Sequence, residues 1–434
     1  MTNLEIGLAG VIALLAAMFV RVPIAVSLAL VGACGYAAID GWHKALAVVA
    51  SVPFELASAY SLSVVPLFVL MGAVASRAQM SRELFDAANA VFSGLRGALA
   101  SATVGACAAF GAICGSSIAT AATFSKVAIP EMRRHGYDDT VAAGSVAAAG
   151  TLGILIPPSV ILAVYSLVAE QSLAKLFAAA LIPGLVLAAL YVVGVVITAR
   201  LRPQWMPRVA SMTLRARLGA ARGMWKLALL FFFAVVGIYL GWFSPTEGAA
   251  VSAFAAILIG LATRTLEWRA LADAFLESVF STAMLFFIIV GAFLFSRFIV
   301  LTRLPNELVA WVNQAGLSPT AIVLCVIALY VILGTALEEV STILITVPVV
   351  LPLMMHIGYD GIWFGIFVTV MATIGLISPP VGLTVFVIQA QNPDIPAAKI
   401  YLGTLPFLVA DFVLVALLVS FPALALWLPS VLKV

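Results

Sequence analysis

Apolar residues in this chain run in long blocks separated by short polar stretches, with neither strict alternation nor a single apolar stripe. A block of about 20 apolar residues is what a helix needs to cross the ~30 Å hydrocarbon core of a bilayer. Read in order, the blocks predict spans near 4–20, 23–39, 58–76, 140–168, 176–199, 225–242, 247–263, 271–296, 361–390 and 401–430. Two stretches depart from the pattern, 98–130 and 319–354. Each is interrupted near its middle by small or polar residues, Cys114-Gly115-Ser116-Ser117 in the first and Gly334-Thr335-Ala336-Leu337-Glu338-Glu339 in the second. Each is long enough to enter the membrane and return, so each is predicted to be a re-entrant helical hairpin. The segments 82–95 and 304–315 set Arg82, Glu83, Asp86 and Asn306, Glu307 among apolar residues, the signature of an amphipathic helix at the interface. The expected fold is therefore an all-α polytopic membrane protein with about ten transmembrane helices and two hairpins.

Composition strengthens this reading. Hydrophobic residues make up 64% of the chain and charged residues 9%. Soluble domains carry roughly 25% charged residues, so most of this surface must face lipid. Cys34, Cys107, Cys114 and Cys325 lie in apolar stretches without a CxxC pair, which argues against a disulfide or metal framework. His43, His135 and His356 sit far apart between apolar segments. The first apolar run lacks a basic start and is expected to be a span, not a cleavable leader.

A shift of 222 residues overlays 127–158 on 349–380 without a gap. Val127, Pro130, Met132, Gly136, Tyr137, Asp138, Val146, Thr151, Gly153, Pro157 and Pro158 meet Val349, Pro352, Met354, Gly358, Tyr359, Asp360, Val368, Thr373, Gly375, Pro379 and Pro380. Apolar low complexity yields chance matches of Val or Ala, but not Pro, Gly-Tyr-Asp and Gly-x-x-x-Pro-Pro in register. The chain thus divides into repeats, 1–222 and 223–434, each with five spans and a hairpin. An odd number of spans turns the second half over, so the repeats are expected to have inverted topology, a plan shared by many secondary transporters. Orientation follows from Lys and Arg. The stretch 200–226 holds Arg200, Arg202, Arg208, Arg215, Arg217, Arg222 and Lys226 and no acid, and is expected to be cytoplasmic. Threading from it puts Arg21, Arg77, Arg82, Arg96, Arg133, Arg134, Arg264, Arg269 and Lys399 inside, and Lys44, Lys175, Arg297, Arg303 and Lys433 outside with both termini.

The repeat also points to the chemistry. Pro157-Pro158 and Pro379-Pro380 fall within spans, and paired prolines break a helix. Broken backbone at bilayer depth is tolerated only where protein or a water-filled cavity surrounds it. Freed carbonyls there can coordinate a cation, and helix N-termini can receive an anion. The hairpin centres Gly115-Ser116-Ser117 and Gly334-Thr335 could approach these breaks and add hydroxyl oxygens, the ligand type hard cations prefer. Glu338 and Glu339 are paired acids in an apolar stretch. They are either functional at depth or a hairpin tip reaching water. Arg297 either meets an anionic solute or snorkels to the interface. Glu247 in Ser-Pro-Thr-Glu reads as a helix cap.

These residues resemble the large membrane subunit of the tripartite ATP-independent periplasmic (TRAP) transporters over nearly the whole chain. The most specific stretches are Phe110-Gly111-Ala112-Ile113-Cys114-Gly115-Ser116-Ser117, Ile129-Pro130-Glu131-Met132 with Gly136-Tyr137-Asp138, and Gly150-Thr151-Leu152-Gly153-Ile154-Leu155-Ile156-Pro157-Pro158-Ser159. Ile182-Pro183-Gly184, Trp363-Phe364-Gly365-Ile366 and Ser378-Pro379-Pro380-Val381-Gly382 complete them. The resemblance implies Na⁺-coupled uptake of small carboxylates, such as C4-dicarboxylates, across the bacterial inner membrane by an elevator motion. It also implies two partners, a small four-helix membrane subunit and a soluble periplasmic binding protein. By position, one sodium site would use Cys114, Ser116, Gly153, Ile156 and Pro158. A second would use Gly375, Ser378 and Pro380 with Ala336 and Glu338. The solute would bind near Ser117 and Thr335. The units 98–168 and 319–390 would form the moving part, and the remaining spans a fixed scaffold. Three positions depart from the family pattern: Cys114 where serine is common, Ser378 where threonine is common, and Glu338 where aspartate is expected.

The alternative within transport is a stand-alone Na⁺/dicarboxylate symporter or exchanger of similar plan. A membrane-embedded enzyme would need an acid–base or metal constellation within the spans, and no HExxH, intramembrane aspartate pair or Ser/His set is present. A passive channel is the third class, separable by saturable, sodium-dependent flux.

Overall fold

The computed structural model describes residues 2–209 and 212–432, all of its regular elements helical. Lys433, assigned above to the outer side, lies outside the described residues. Along the chain, α1 (Asn3–Phe19) opens on a capping box, in which the Thr2 hydroxyl accepts from the Glu5 amide and Glu5 accepts from the Thr2 amide. It is followed by α2 (Ile24–Asp40) and α3 (Trp42–Ser58). Helix α3 is absent from the predicted spans, because Lys44, Glu55 and the internal Pro53 interrupt its apolar run. A 3₁₀ turn, Tyr60–Ser63, leads into α4 (Val64–Arg77). The expected interfacial helix is α5 (Met80–Phe92), which buries Met80, Leu84, Phe85 and Ala88 and exposes Arg82 and Asp86.

The first hairpin is α6 (Ala98–Cys114) and α7 (Ser117–Arg134), turning at Gly115-Ser116. The first broken span is α8 (Asp139–Leu155) and α9 (Val160–Val168), bent by 44° across Pro157-Pro158. Then come α10 (Leu173–Leu201), α11 (Leu214–Ala221) and α12 (Trp225–Phe231), the last continuing through a π-helical stretch, Phe232–Val236, into α13 (Gly237–Tyr239). The Ser-Pro-Thr-Glu cap is realised at α14 (Pro245–Ala262), where Ser244 and Glu247 exchange hydrogen bonds. Next is α15 (Trp268–Thr302), 35 residues and about 52 Å long at 1.5 Å per residue. The second helix expected at the interface is α16 (Leu304–Gln314), and the second hairpin is α17 (Pro319–Ala336) and α18 (Glu339–His356). The second broken span is α19 (Gly361–Ile377) and α20 (Leu383–Gln391). The expected last span divides at Phe421-Pro422 into α21 (Ala397–Ser420) and α22 (Ala423–Leu432), and Pro422 has no amide proton to continue the helix there.

Among the described residues eight helices are long and apolar enough to cross a membrane, or nine with the bent pair. Both arms of the second hairpin are among them, while α1, α2 and α19 are apolar but one residue short of that length.

The repeated Gly-Tyr-Asp motif has a structural cause. Gly136 and Gly358 adopt φ of +76° and +95°, a region glycine enters without penalty. Their amides bond to the Arg133 and Met355 carbonyls, and the Tyr137 and Tyr359 amides to the Met132 and Met354 carbonyls. This is a Schellman stop on each hairpin. Asp138 and Asp360 then cap the following helices through the Thr140 and Ile362 amides.

Two bodies result. In one, α2 packs along α15 and α4 along α14, with α1 and α3 on α2. In the other, α6 and α7 pack on α8, and α17 and α18 on α19. The spans α10 and α21, expected in the scaffold, pack instead with the hairpins: α21 lies along α8, α10 along α6 and α19, and the two touch each other. Small residues allow it, since a methyl built on Gly403 of α21 would fall 1.9 Å from the Thr140 carbonyl oxygen.

Candidate functional site

Each hairpin is seated on its broken span through glycine. A methyl on Gly111 of α6 would lie 2.3 Å from the Gly153 Cα, and one on Gly375 would lie 2.5 Å from the Gly334 carbonyl oxygen. Neither contact tolerates a side chain. At the first seat, a methyl on Gly115 would lie 3.3 Å from the Pro158 carbonyl oxygen. A methyl on Gly153 would lie 3.3 Å from the Ser116 carbonyl oxygen and 3.1 Å from the Thr120 hydroxyl. The structure thus gathers Ser116, Gly153 and Pro158 at one point. Cys114 is beside them, its Cα 2.8 Å from a methyl built on Gly72 of α4. Ile156 caps the end of α8 and packs on Gly184.

The polar atoms there are uneven. The Ser116 hydroxyl accepts from the Ala119 amide at 3.4 Å, capping α7. The Thr120 and Ser117 hydroxyls are buried without a hydrogen-bond partner. A buried hydroxyl left unpaired costs about 1–3 kcal/mol, so this pocket fits a bound cation better than it fits nothing. Thr120 was not among the sequence candidates. It stands one helical turn past Ser116, and only its burial beside Gly153 singles it out.

The second seat is similar in backbone but not in surroundings. Ser378 is buried and its amide bonds to the Gly375 carbonyl at 3.4 Å. Pro157 and Pro158 are buried, while Pro379 and Pro380 are exposed. The Tyr401 hydroxyl donates to the Val381 carbonyl at 2.6 Å and lies 3.1 Å from the Pro380 carbonyl, the oxygen expected to face a cation. Ala336 is exposed at the end of α17. The Glu338 carboxylate accepts from the Ser341 hydroxyl at 2.9 Å.

A cavity of about 990 Å³ opens between the two bodies. Its walls include Cys114, Gly115 and Ser116 of the first hairpin tip and Glu338, Glu339 and Val340 of the second. The facing wall is Gly72, Ser76 and Arg77 of α4 and Glu277 and Ser281 of α15, with Arg82 and Lys126 at the rim. Arg77 pairs with Glu277 at 2.8 Å. Among the described residues Arg82 and Lys126 make no ion pair within 4 Å, so both are available to an anion. The expected solute residues are placed less simply. Ser117 is fully buried behind the tip, and the Thr335 hydroxyl bonds to its own helix at the Ile332 carbonyl. Arg297 is outside the cavity and pairs with Glu55 of α3 at 2.6 Å, because it lies nine residues beyond Ile288, the last cavity position of α15.

Two apolar helical bodies with a charged, solute-sized cavity between them define a multi-pass membrane carrier. The family model described as the tripartite ATP-independent periplasmic transporter, DctM component, matches residues 11–424. The chain belongs to this family and is a transporter component, not an enzyme. It is 39% identical over 379 residues to the C4-dicarboxylate TRAP transporter large permease protein DctM of Pseudomonas aeruginosa, covering 87% of this chain and 88% of that one. It is 32% identical over 440 residues to the protein of the same name from Vibrio cholerae, covering 96% and 95%. The crystal structure of the YdaH transporter of Alcanivorax borkumensis shares the fold, with a TM-score of 0.62 over 89% of this chain and 90% of that one at 16% identity.

Proposed function

We propose that this chain is the Na⁺-coupled carrier subunit of a three-part uptake system of the inner membrane. It imports a small organic anion, a C4-dicarboxylate or a related carboxylate. A periplasmic binding protein delivers the solute, and a small four-helix subunit accompanies the carrier. The observation that carries this reading is a cavity walled by both hairpin tips, with Arg82 and Lys126 in its lining. Arg82 and Lys126 can meet a carboxylate, Glu338 and Glu339 on the same walls would face the co-transported Na⁺, and the printed name of the Pseudomonas aeruginosa relative specifies a C4-dicarboxylate.

The two halves read as inverted repeats. They share the Gly-Tyr-Asp stop-and-cap, the glycine seat and the broken span, and α2 on α15 mirrors α14 on α4. The unit of hairpins, broken spans, α10 and α21 slides as an elevator against the body of α2, α4, α14 and α15. The charge threading of the sequence expects Arg77 and Arg82 inside, and on that reading the cavity mouth, whose lining includes both, is cytoplasmic. Na⁺ would be held at the first seat by the Ser116 and Pro158 carbonyls with the Thr120 hydroxyl, and at the second near Gly375, Ser378 and Glu338. When bound it supplies the positive charge that offsets the incoming carboxylate.

The test is uptake of a labelled C4-dicarboxylate into proteoliposomes carrying this chain and the small subunit, with binding protein outside. Saturable uptake that requires an inward Na⁺ gradient and the binding protein is expected. Uptake indifferent to Na⁺ overturns the coupling. Full uptake without binding protein or small subunit identifies a stand-alone symporter instead.

A further inference from the structure

Asp411 is the only charged residue between 401 and 430, and it is fully buried in α21. Its Oδ1 accepts the Tyr191 hydroxyl of α10 at 2.8 Å and lies 3.5 Å from the Thr373 hydroxyl of α19. The Tyr191 hydroxyl is in turn 3.5 Å from Thr151 Oγ1 of α8. Asp411 Oδ2 is buried with no partner at all.

The threonine protons are spent elsewhere. Thr151 donates to the Ala148 carbonyl at 2.7 Å and Thr373 to the Val370 carbonyl at 2.6 Å. Each hydroxyl therefore presents lone pairs to the cluster. Four residues converge with five oxygens and one proton between them, that of Tyr191. Such a group of acceptors holds together only if a positive charge sits among them, and a buried bare carboxylate is strongly disfavoured. No protein cation is in place. Among the described residues no ion pair includes Asp411. Helices α19, α20 and α22, which pack beside it, carry no charged residue. Asp139 of α8, Lys175 and Arg200 of α10, and Lys399 of α21 itself all stand nine or more residues along from the cluster. Tyr191 is the one titratable side chain bonded to it.

We propose that Asp411, Tyr191, Thr151 and Thr373 form a buried site for a small monovalent cation, H⁺ or Na⁺, inside the hairpin-bearing unit and separate from the hairpin seats. An all-oxygen set suits either, by extension from the oxygen preference of hard cations. Thr151 and Thr373 are equivalent positions of the 222-residue overlay. The site therefore joins α8 and α10 of the first half to α19 and α21 of the second. Its occupant leaves the core of the unit uncharged as that core crosses the membrane, an advantage that rests on the carrier reading above.

The experiment is made on the purified full chain without solute, so that it does not depend on uptake. Bound ²²Na⁺ per chain and the infrared band of protonated carboxyls are measured across the stable pH range for the wild type and Asp411→Asn. One Na⁺ fewer per chain in the variant assigns the site to Na⁺. Unchanged Na⁺ with loss of a protonated-carboxyl band assigns it to H⁺. A folded Asp411→Asn chain with both readouts as in the wild type overturns the proposal. Thr373→Val, of matched shape, is measured in parallel and covers the case in which Asp411→Asn does not fold. Loss of one oxygen is expected to weaken the apparent cation affinity, Na⁺ or H⁺, by about fivefold. Unaltered affinities for both likewise overturn it. Thr120→Val reports on the first hairpin seat, so failure there and failure at Asp411 are distinguishable.

Discussion

At the first hairpin tip, two hydroxyls one turn apart have different work. Ser116 Oγ caps α7 through the Ala119 amide, while Thr120 Oγ1 is buried and unpaired beside Gly153. If Na⁺ is held there, the Ser116 contribution comes from its carbonyl. Ser116→Ala is then expected to cost about 1 kcal/mol of stability, the usual worth of a cap, with sodium activation of uptake close to wild type. Thr120→Val keeps shape and removes an oxygen, and should raise the sodium concentration for half-maximal uptake about fivefold or more. Thermal unfolding and sodium titration of the two variants separate the roles. The reverse pattern, a sodium defect in Ser116→Ala alone, sinks the assignment of the ligand to Thr120.

Between elements, Arg133 at the end of α7 ties the hairpin to its neighbours. It donates to Asp139 of α8 at 2.6 Å and to Asp394, in the turn between α20 and α21, at 2.5 Å. One guanidinium thus joins the first hairpin to the second broken span at the surface of the hairpin-bearing unit. The Arg133 hydrogen bond holds the Asp394 carboxyl below its ordinary pKa. A depressed carboxylate adds stability above its unfolded value and loses it as pH falls through the folded one. The pair is solvent-exposed, so the effect is small and weakens with salt. Asp394→Asn should lower Tm modestly at neutral pH and converge with the wild type in acid. A Tm difference that persists below the carboxylate range contradicts the latch.

Over the whole molecule, the two bodies meet where α4 crosses the first hairpin. Gly72 lets the Cys114 backbone approach, and the Ser76 and Thr123 hydroxyls lie 3.3 Å apart across the same boundary. If the hairpin-bearing unit slides as a rigid elevator, Ser76→Cys with Thr123→Cys should lock it. Oxidation is expected to abolish uptake, reduction to restore it, and ²²Na⁺ binding to survive the lock. Full uptake with the cross-link complete excludes the slide and favours gating by the hairpin tips alone.

Two things were readable in the residues themselves because they rest on local physics. Long apolar blocks fix membrane helices, whereas Gly-Tyr-Asp stood out only as a repeat until the structure showed it to be a stop and a cap. The paired prolines mark the breaks, since the chain cannot supply those hydrogen bonds. Partnership was not readable. Whether α10 and α21 belong with the hairpins depends on which neighbour accepts their small faces, as Gly403 does against Thr140. Arg297 looked available to an anion until the fold placed Glu55 beside it. Thr120 and Asp411 carry no motif. A lone hydroxyl and a lone acid become significant only when packing removes water and leaves their oxygens without a partner, and that is a property of the tertiary arrangement alone.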